Sequence, residues 1–334
     1  PADAEGVRPL ATVSRPLSLP ALVAELRRAL LDPDLPAARR GAAARELARL
    51  AQAGARGAAP SSWWGLAQVS DERPVRDAGD AVSVSPSKVE SFTRCELRWF
   101  LEHVGGTASA TAQQSVGTLV HAVAEGALDE QSSTEEALLA RLEAMLPTVD
   151  LGRGWVAEKE VAKARGMVRR LAKWLAASAR EVVATELAFT AEVGRAVVGG
   201  RVDRIERDHL GRGVVVDLKT GSSKVSEDDL AGHAQLAAYQ LAVEAGAFAE
   251  QGLHESGGAA LVQLGKGAFT HEPREQAQPP LSSYPDPEWA RRLVTAVAEG
   301  MAGAAFRAIG NDLCPRCPVR TSCPVQDDGR LVTS

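Results

Sequence analysis

The segment that most constrains this chain is Val214-Val215-Val216-Asp217-Leu218-Lys219-Thr220-Gly221. Three consecutive valines form a wholly apolar run, as in a strand inside a core. The run then ends on an acid and a base with one residue between them. Residues two apart on a strand share a face, so Asp217 and Lys219 point the same way. Thr220-Gly221 turns the chain directly afterwards, so two charges emerge from a core at a strand's end, where charge needs a purpose. Upstream, Val202-Asp203-Arg204 sits in a second alternating segment. A tight hairpin between the two brings Asp203 near Asp217. Adjacent carboxylates repel, and a hard divalent cation such as Mg²⁺, which takes oxygen ligands, removes that cost. Beside a phosphodiester such a cation activates water and stabilises charge developing on phosphorus. Lys219 is then placed to position that water or to neutralise charge in the transition state.

The pattern around this segment predicts an α/β chain. Period-two alternation marks strands over 182–193, 195–207 and 213–219, with a hairpin turn at Asp208-His209-Leu210-Gly211, and a further strand over 259–264. Helical spacing marks 114–128, 133–145, 156–180, 227–245 and 287–309. Ser85-Pro86-Ser87 starts another helix: serine caps free N–H groups, and proline loses nothing at the first helical position. Val89, Phe92, Trp99 and Phe100 form its apolar face, with Cys95 inside it. Residues 1–84 differ. Two Ala/Leu/Arg-rich helices, 19–31 and 37–51, flank the breaker Asp32-Pro33-Asp34. Ser61-Ser62-Trp63-Trp64 and a charged linker from Asp71 to Asp80 follow. No chemistry is visible there, and the segment reads as the end of a neighbouring domain, with the boundary between 84 and 85. The start at Pro1, without a methionine, reads as a piece of something longer.

Composition narrows the function classes. A hydrophobic share of 45% is ordinary for a globular domain. No apolar run approaches the ~20 residues of a membrane helix and no signal peptide opens the chain, which makes a cytoplasmic protein with no membrane partner the expectation. A net charge of -5 argues against a protein coated in positive potential. It suits a site built from carboxylates and cations with local arginines, of which Arg165, Arg169, Arg170, Arg201 and Arg204 are candidates for phosphate contacts. Seven of the 38 basic residues are lysines, so Lys219 is not filler. There is no GxxxxGK[ST], hence no ATP-binding loop.

The four cysteines are Cys95, Cys314, Cys317 and Cys323. In a reducing cytoplasm they are ligands or buried thiols before they are disulfides. Cys314-Pro315-Arg316-Cys317 directs two thiolates at one centre, and four thiolates complete either a zinc site or an iron–sulfur cluster.

Four ordered motifs carry a resemblance: Gly117-Thr118-Leu119-Val120-His121, Gly200-Arg201-Val202-Asp203-Arg204-Ile205, Asp217-Leu218-Lys219-Thr220-Gly221 and Gln235-Leu236-Ala237-Ala238-Tyr239. In order and rough spacing, over about residues 85–325, the chain resembles the RecB-like exonucleases of the PD-(D/E)xK superfamily. The resemblance implies a restriction-endonuclease-like core, a central mixed sheet flanked by helices. It implies metal ligation of Mg²⁺ or Mn²⁺ by His121, Asp203 and Asp217, Lys219 as the catalytic lysine, and an acidic role for Glu186. Gln235 and Tyr239 become supporting residues near the scissile phosphate, on one helix face by their i, i+4 spacing. Glu125, one turn after His121, is a candidate to hold its ring. A distant cysteine with a C-terminal CxxC-x₅-C is similar to the iron–sulfur staple of bacterial helicase–nuclease subunits, which implies a [4Fe–4S] cluster on the four cysteines, with Zn²⁺ as the alternative. The implied activity is a metal-dependent DNA exonuclease acting on single strands. It would be the nuclease part of a helicase–nuclease of double-strand-break repair, with the helicase motor as a partner outside this chain. The alternatives are a non-cleaving, cluster-bearing DNA-end module and a free-standing exonuclease of the CRISPR-adaptation type.

Overall fold

A computed structural model of the chain describes residues 18–63, 72–105, 112–221, 225–265 and 272–326. Trp64 and Asp71, both singled out above, lie outside these residues. The chain divides into two compact units, residues 1–72 with 310–334, and residues 73–309. That partition differs from a boundary between 84 and 85, because residues 82–84 form a strand of the sheet.

In the first unit, α1 (Leu19–Leu31) is capped by Ser18, whose hydroxyl accepts the Ala21 N–H, and α2 (Ala37–Gln52) follows the predicted breaker. Their small core is Val23, Leu47, Ala58 and Trp63. The Trp63 indole donates to the Gly57 carbonyl at 2.8 Å and stacks under the Arg27 guanidinium.

The second unit is built on six strands: β1 (Val82–Val84), β2 (Glu181–Val193), β3 (Ala196–Arg207), β4 (Gly213–Lys219), β5 (Ser256–Gln263) and β6 (Arg274–Gln278). The order is β1-β3-β4-β5-β6, with β2 on the other edge of β3. β2–β3–β4 are antiparallel neighbours, while β1–β3 and β4–β5 are parallel, so the sheet is mixed as expected. The turn at Asp208 is a hairpin: its carboxylate accepts the Leu210 and Arg212 N–H groups, and Gly211 takes the left-handed φ of 83°. One edge of β3 is shared. Ala196–Val198 pair with β1 and Arg204–Arg207 pair with β4, which leaves a fork in the sheet between them.

Helices cover both faces. α3 (Pro86–Arg94), α4 (Glu96–Gly105), α9 (Ala234–Glu244) and α10 (Trp289–Ala302) pack on one side around Val215, Ile205 and Leu261. α5 (Ala112–Glu125), α6 (Glu135–Met145) and α7 (Trp155–Ala177) pack on the other around Val214, Val216 and Leu218. The short α8 (Glu227–Ala231) precedes α9. The valine run of β4 is thus divided by its pleat between two cores. No helix among the described residues is long and apolar enough to cross a membrane.

Three expectations change. Cys95 does not lie inside one long helix. It ends α3 in extended conformation (φ -165°, ψ 109°), and α4 starts at Glu96. The break aims the Cys95 sulfur at the chain after α10, where it accepts the Ile309 N–H at 3.5 Å, while Glu96 holds the Arg307 guanidinium and backbone N–H. The expected helix 227–245 is split at Gly232, with His233 capping α9 through the Leu236 N–H. The helix expected over 287–309 stops at Ala302 before Gly303.

Candidate active site

The end of β4 is held by two absent side chains. A Cβ on Gly117 of α5 would stand 2.8 Å from the Thr220 hydroxyl, and one on Gly265 would stand 1.9 Å from the Thr220 carbonyl oxygen. Both glycines let neighbouring backbone close on Thr220. The Lys219 carbonyl also accepts the Leu264 and Gly265 N–H groups at 2.8 and 3.1 Å. Lys219 therefore leaves the sheet from a fixed point.

Around that point the structure makes two groupings. In the first, His121 Nδ1 lies 3.1 Å from Asp203 Oδ1, and Glu186 completes a trio whose ligand atoms all fall within 4.8 Å of one another. Among the described residues this is the one His/Cys/Asp/Glu group of that kind. Asp203 Oδ2 accepts the Leu218 N–H at 2.7 Å, one step beyond the last β3–β4 pair, Arg204 with Val216. In the second grouping, Asp217 Oδ1 accepts from Gln235 Nε2 at 2.7 Å and from the Tyr239 hydroxyl at 3.3 Å. Gln235 Oε1 in turn accepts from Lys219 Nζ at 2.8 Å. Asp217 Oδ2, fully buried, has the Lys219 ammonium as its partner at 2.8 Å. The spacing of Gln235 and Tyr239 does set both on the Asp217 side of α9. Asp217 stands beside the His121–Glu186–Asp203 trio, linked to it through the Leu218 backbone.

Glu186 is the one described non-glycine residue at positive φ, 46°. Thr185 pairs with Arg204 and Leu187 with Val202, so Glu186 stands across from Asp203. Its carbonyl accepts from Arg201 Nη1 at 2.9 Å. A left-handed glutamate inside a strand costs about 1–3 kcal/mol, strain that persists only where the surroundings hold it.

The electrostatics follow from crowding acids in a half-closed space. Burial raises the Asp217 carboxyl above its ordinary range, and the Asp203 charge adds to this, against the opposing pull of Lys219. Glu186 is raised by burial and by the Asp203 charge. For His121, burial opposes the charged ring, but the Asp203 hydrogen bond and the charges of Asp203, Asp217 and Glu186 outweigh it and raise its pKa. Tyr239 is pushed up by burial and by Asp217, and stays a neutral donor. An imidazole and clustered carboxylates form the donor set of a divalent cation with oxygen preference. The residues fit such an ion. His121, Glu186 and Asp203 line a cleft of about 730 Å³ with Gly117, Thr118, Thr220 and Gly221, and Asp217 lies buried behind its lining.

Other expectations fall elsewhere. Glu125 is exposed, and the His121 ring meets Asp203 instead; the Glu125 backbone carbonyl accepts from Thr185. Arg165 and Arg169 pair with Glu143 and Glu135 and hold α7 to α6. Arg170 is buried on the Leu264 carbonyl. Arg204 is neither a phosphate contact nor a surface charge: it is buried, donating to Glu206 and to the Ala127 carbonyl. Arg201 stands exposed beside Glu186 at the cleft. All four cysteines are free thiols. Cys95 belongs to the second unit, and Cys314, Cys317 and Cys323 to the first, where Cys314 Sγ accepts the Asn311 N–H at 3.2 Å.

A search of curated proteins found no match. Among solved structures, that of SSO0001 is similar at 16% identity and a TM-score of 0.34, over 75% of this chain and 89% of that one. The sequence matches the family model of the PD-(D/E)XK nuclease superfamily over residues 83–324. With a match over most of its length, the chain belongs to the PD-(D/E)XK nuclease superfamily.

Proposed function

We propose that this chain is a Mg²⁺- or Mn²⁺-dependent DNA exonuclease of the RecB-like kind. The observation that carries the reading is the meeting of the His121–Glu186–Asp203 trio with Asp217 and its chain of partners, Lys219 and Gln235, at one strand end. His121, Asp203 and Asp217 would hold the cation, with Glu186 completing its surroundings. The bound cation supplies Lewis acidity toward a phosphoryl oxygen and a water of lowered pKa. The residues do the rest. Gln235 accepts from the Lys219 ammonium and donates to Asp217, which fixes the spacing of base and acid. The Lys219 ammonium, held by Asp217 and Gln235, balances charge building on the attacked phosphate. Tyr239 donates to Asp217 and helps fix the position of its carboxylate. The test is digestion of an end-labelled DNA single strand with Mg²⁺, with Mn²⁺ and with chelator. Shortening of the strand with either metal and none with chelator is expected; cleavage that survives chelation defeats the proposal.

The same reading makes Cys95, Cys314, Cys317 and Cys323 the ligands of a [4Fe–4S] cluster. Backbone N–H groups already point at two of these sulfurs, from Ile309 to Cys95 and from Asn311 to Cys314. Such contacts stabilise thiolate charge and tune a cluster. Protein purified without oxygen is expected to be brown, with iron and acid-labile sulfide; a colourless, zinc-loaded protein would replace the cluster with a zinc site. The order of the four motifs supports a place as the nuclease part of a helicase–nuclease of double-strand-break repair, with the ATP-driven motor as partner.

A further inference from the structure

Helix α5 borders two hollows. Gly117 and His121 line the catalytic cleft, while Leu119 and Ala122 line a second groove between α5 and the end of α6. Gln114 and Thr118 line both, so the groove continues directly from the cleft across one ridge of the helix. The two differ sharply in chemistry. The cleft holds two carboxylates and an imidazole, whereas no side chain lining the groove is charged. Its apolar part is Leu119, Ala122, Met145 and Val149. Thr118 and Thr148 line it as well, and both give their hydroxyl protons to the helix, to the carbonyls of Gln114 and Met145. Their oxygens keep lone pairs for a donor in the groove. The groove holds about 360 Å³, within the range of pockets for small organic groups, about 300–1,000 Å³.

We propose that this groove receives an unpaired nucleobase next to the phosphate being cut. The inference rests on the nuclease reading and adds to it a site for one base beside the cleft. A phosphate has no reason to enter a hollow without cations, and a sugar gains little from methionine and leucine. A nucleobase has both an apolar face for Met145 and Leu119 and edge N–H groups for hydroxyl oxygens. It reaches the groove only after leaving its stack, which is free in a single strand and costly in a duplex. The groove therefore selects single strands through contact with a base, while the cleft handles the phosphate.

The test uses the whole chain and a fluorescein-labelled DNA 20-mer. Ala122→Leu fills the groove and Met145→Ala strips one wall; either keeps the test open if the other fails to fold. Binding of the single strand with Ca²⁺, followed by anisotropy, is expected to weaken about tenfold in each variant, the lower end for altering a hydrophobic subsite. Binding of the same sequence as a blunt duplex is expected to stay within about twofold. In the second arm, a strand carrying one abasic residue is digested with Mg²⁺. Wild-type protein is expected to pause at a fixed offset from the missing base, and the pause is expected to vanish in Ala122→Leu. An unchanged single-strand affinity in both variants, or a pause that survives in Ala122→Leu, overturns the groove. If the wild type cuts no strand at all, the nuclease reading falls, and the binding arm still decides the groove.

Discussion

Asp217→Asn is expected to slow cleavage by about 10³-fold, the scale of losing a group that acts on the charge of the transition state, and to make the metal-free protein more stable. The two effects share one cause. Asp217 is buried, and its Oδ2 is left with the Lys219 ammonium as its partner. An ionised carboxylate in that position lacks both water and a full set of donors, which is a destabilising arrangement in the absence of a cation. Asparagine keeps the shape and loses the charge, and Lys219, about a third exposed, turns to water. The pH dependence follows from the direction of the shift. Burial raises the Asp217 pKa in the folded protein, against the pull of Lys219. At pH above that raised value the folded state holds a charge that the unfolded chain carries more easily, so Asp217 costs stability there. The cost fades as pH falls toward the ordinary carboxylate range. Thermal melts of both proteins in chelator, from about pH 8 down to about pH 4, are expected to show the asparagine variant ahead at the upper end and level at the lower. Unchanged metal-dependent cleavage would remove Asp217 from the catalytic set. A gap that does not move with pH would remove the burial argument.

Glu206→Ala is expected to be the most damaging single change outside the cleft, at about 3–5 kcal/mol, the cost of stripping one partner from a buried ion pair. Glu206 is fully buried on β3 and accepts from Arg180 and Arg204, each at 2.6 Å. Arg180 also grips Glu275 of β6 with two parallel bonds, and Glu275 accepts from the Trp174 indole at 2.7 Å. Arg204 carries the network on to the Ala127 carbonyl after α5. One carboxylate thus ties α5, α7 and the far strand of the sheet together. Its removal leaves Arg204 buried with a carbonyl as its remaining acceptor. The Glu275 carboxyl is opposed by burial but held below its usual range by the Arg180 and Trp174 hydrogen bonds. The stability it brings is present above the unfolded pKa and is lost as pH falls through the folded value. Urea denaturation of Glu206→Ala measures the prediction, and a loss below about 1 kcal/mol, the level of an exposed pair, would demote the network to decoration.

Arg204 also shows what the sequence leaves illegible. As one of a string of charges on a strand, it reads as a surface group or a phosphate contact; its acceptors lie two residues away on its own strand and 77 residues upstream. Pairing at that distance leaves no local mark. The same holds for the break at Cys95. The apolar spacing of Val89, Phe92, Trp99 and Phe100 runs through it unbroken, because Glu96 and Cys95 are pulled aside by Arg307 and Ile309, far along the chain. β1 and β6 escape notice for another reason. One has three residues, and the other reads Arg-Glu-Gln-Ala-Gln, with Gln276 and Gln278 buried on backbone carbonyls where apolar residues are looked for. What could be read was local and periodic. The valines of β4 announced a strand inside a core, and the step from Gln235 to Tyr239 announced one helix face. Asp203 was legible as a second acid beside Asp217, whereas His121 and Glu186 were legible as chemistry only through resemblance to a family, since a strained φ and a cross-strand position leave no trace in residue types.

The fork in the sheet has a consequence for how a ligand is handled. β1 and β4 leave the same edge of β3 in different places, and Asp203 stands where they part. The opening there is made by the divergence of two strands that pair with one edge of β3 in opposite directions. Its width is therefore set by the strand pairing on that edge of β3. Discrimination among molecules of similar thickness then has to be made along the walls, by what each side chain can touch as the molecule threads past.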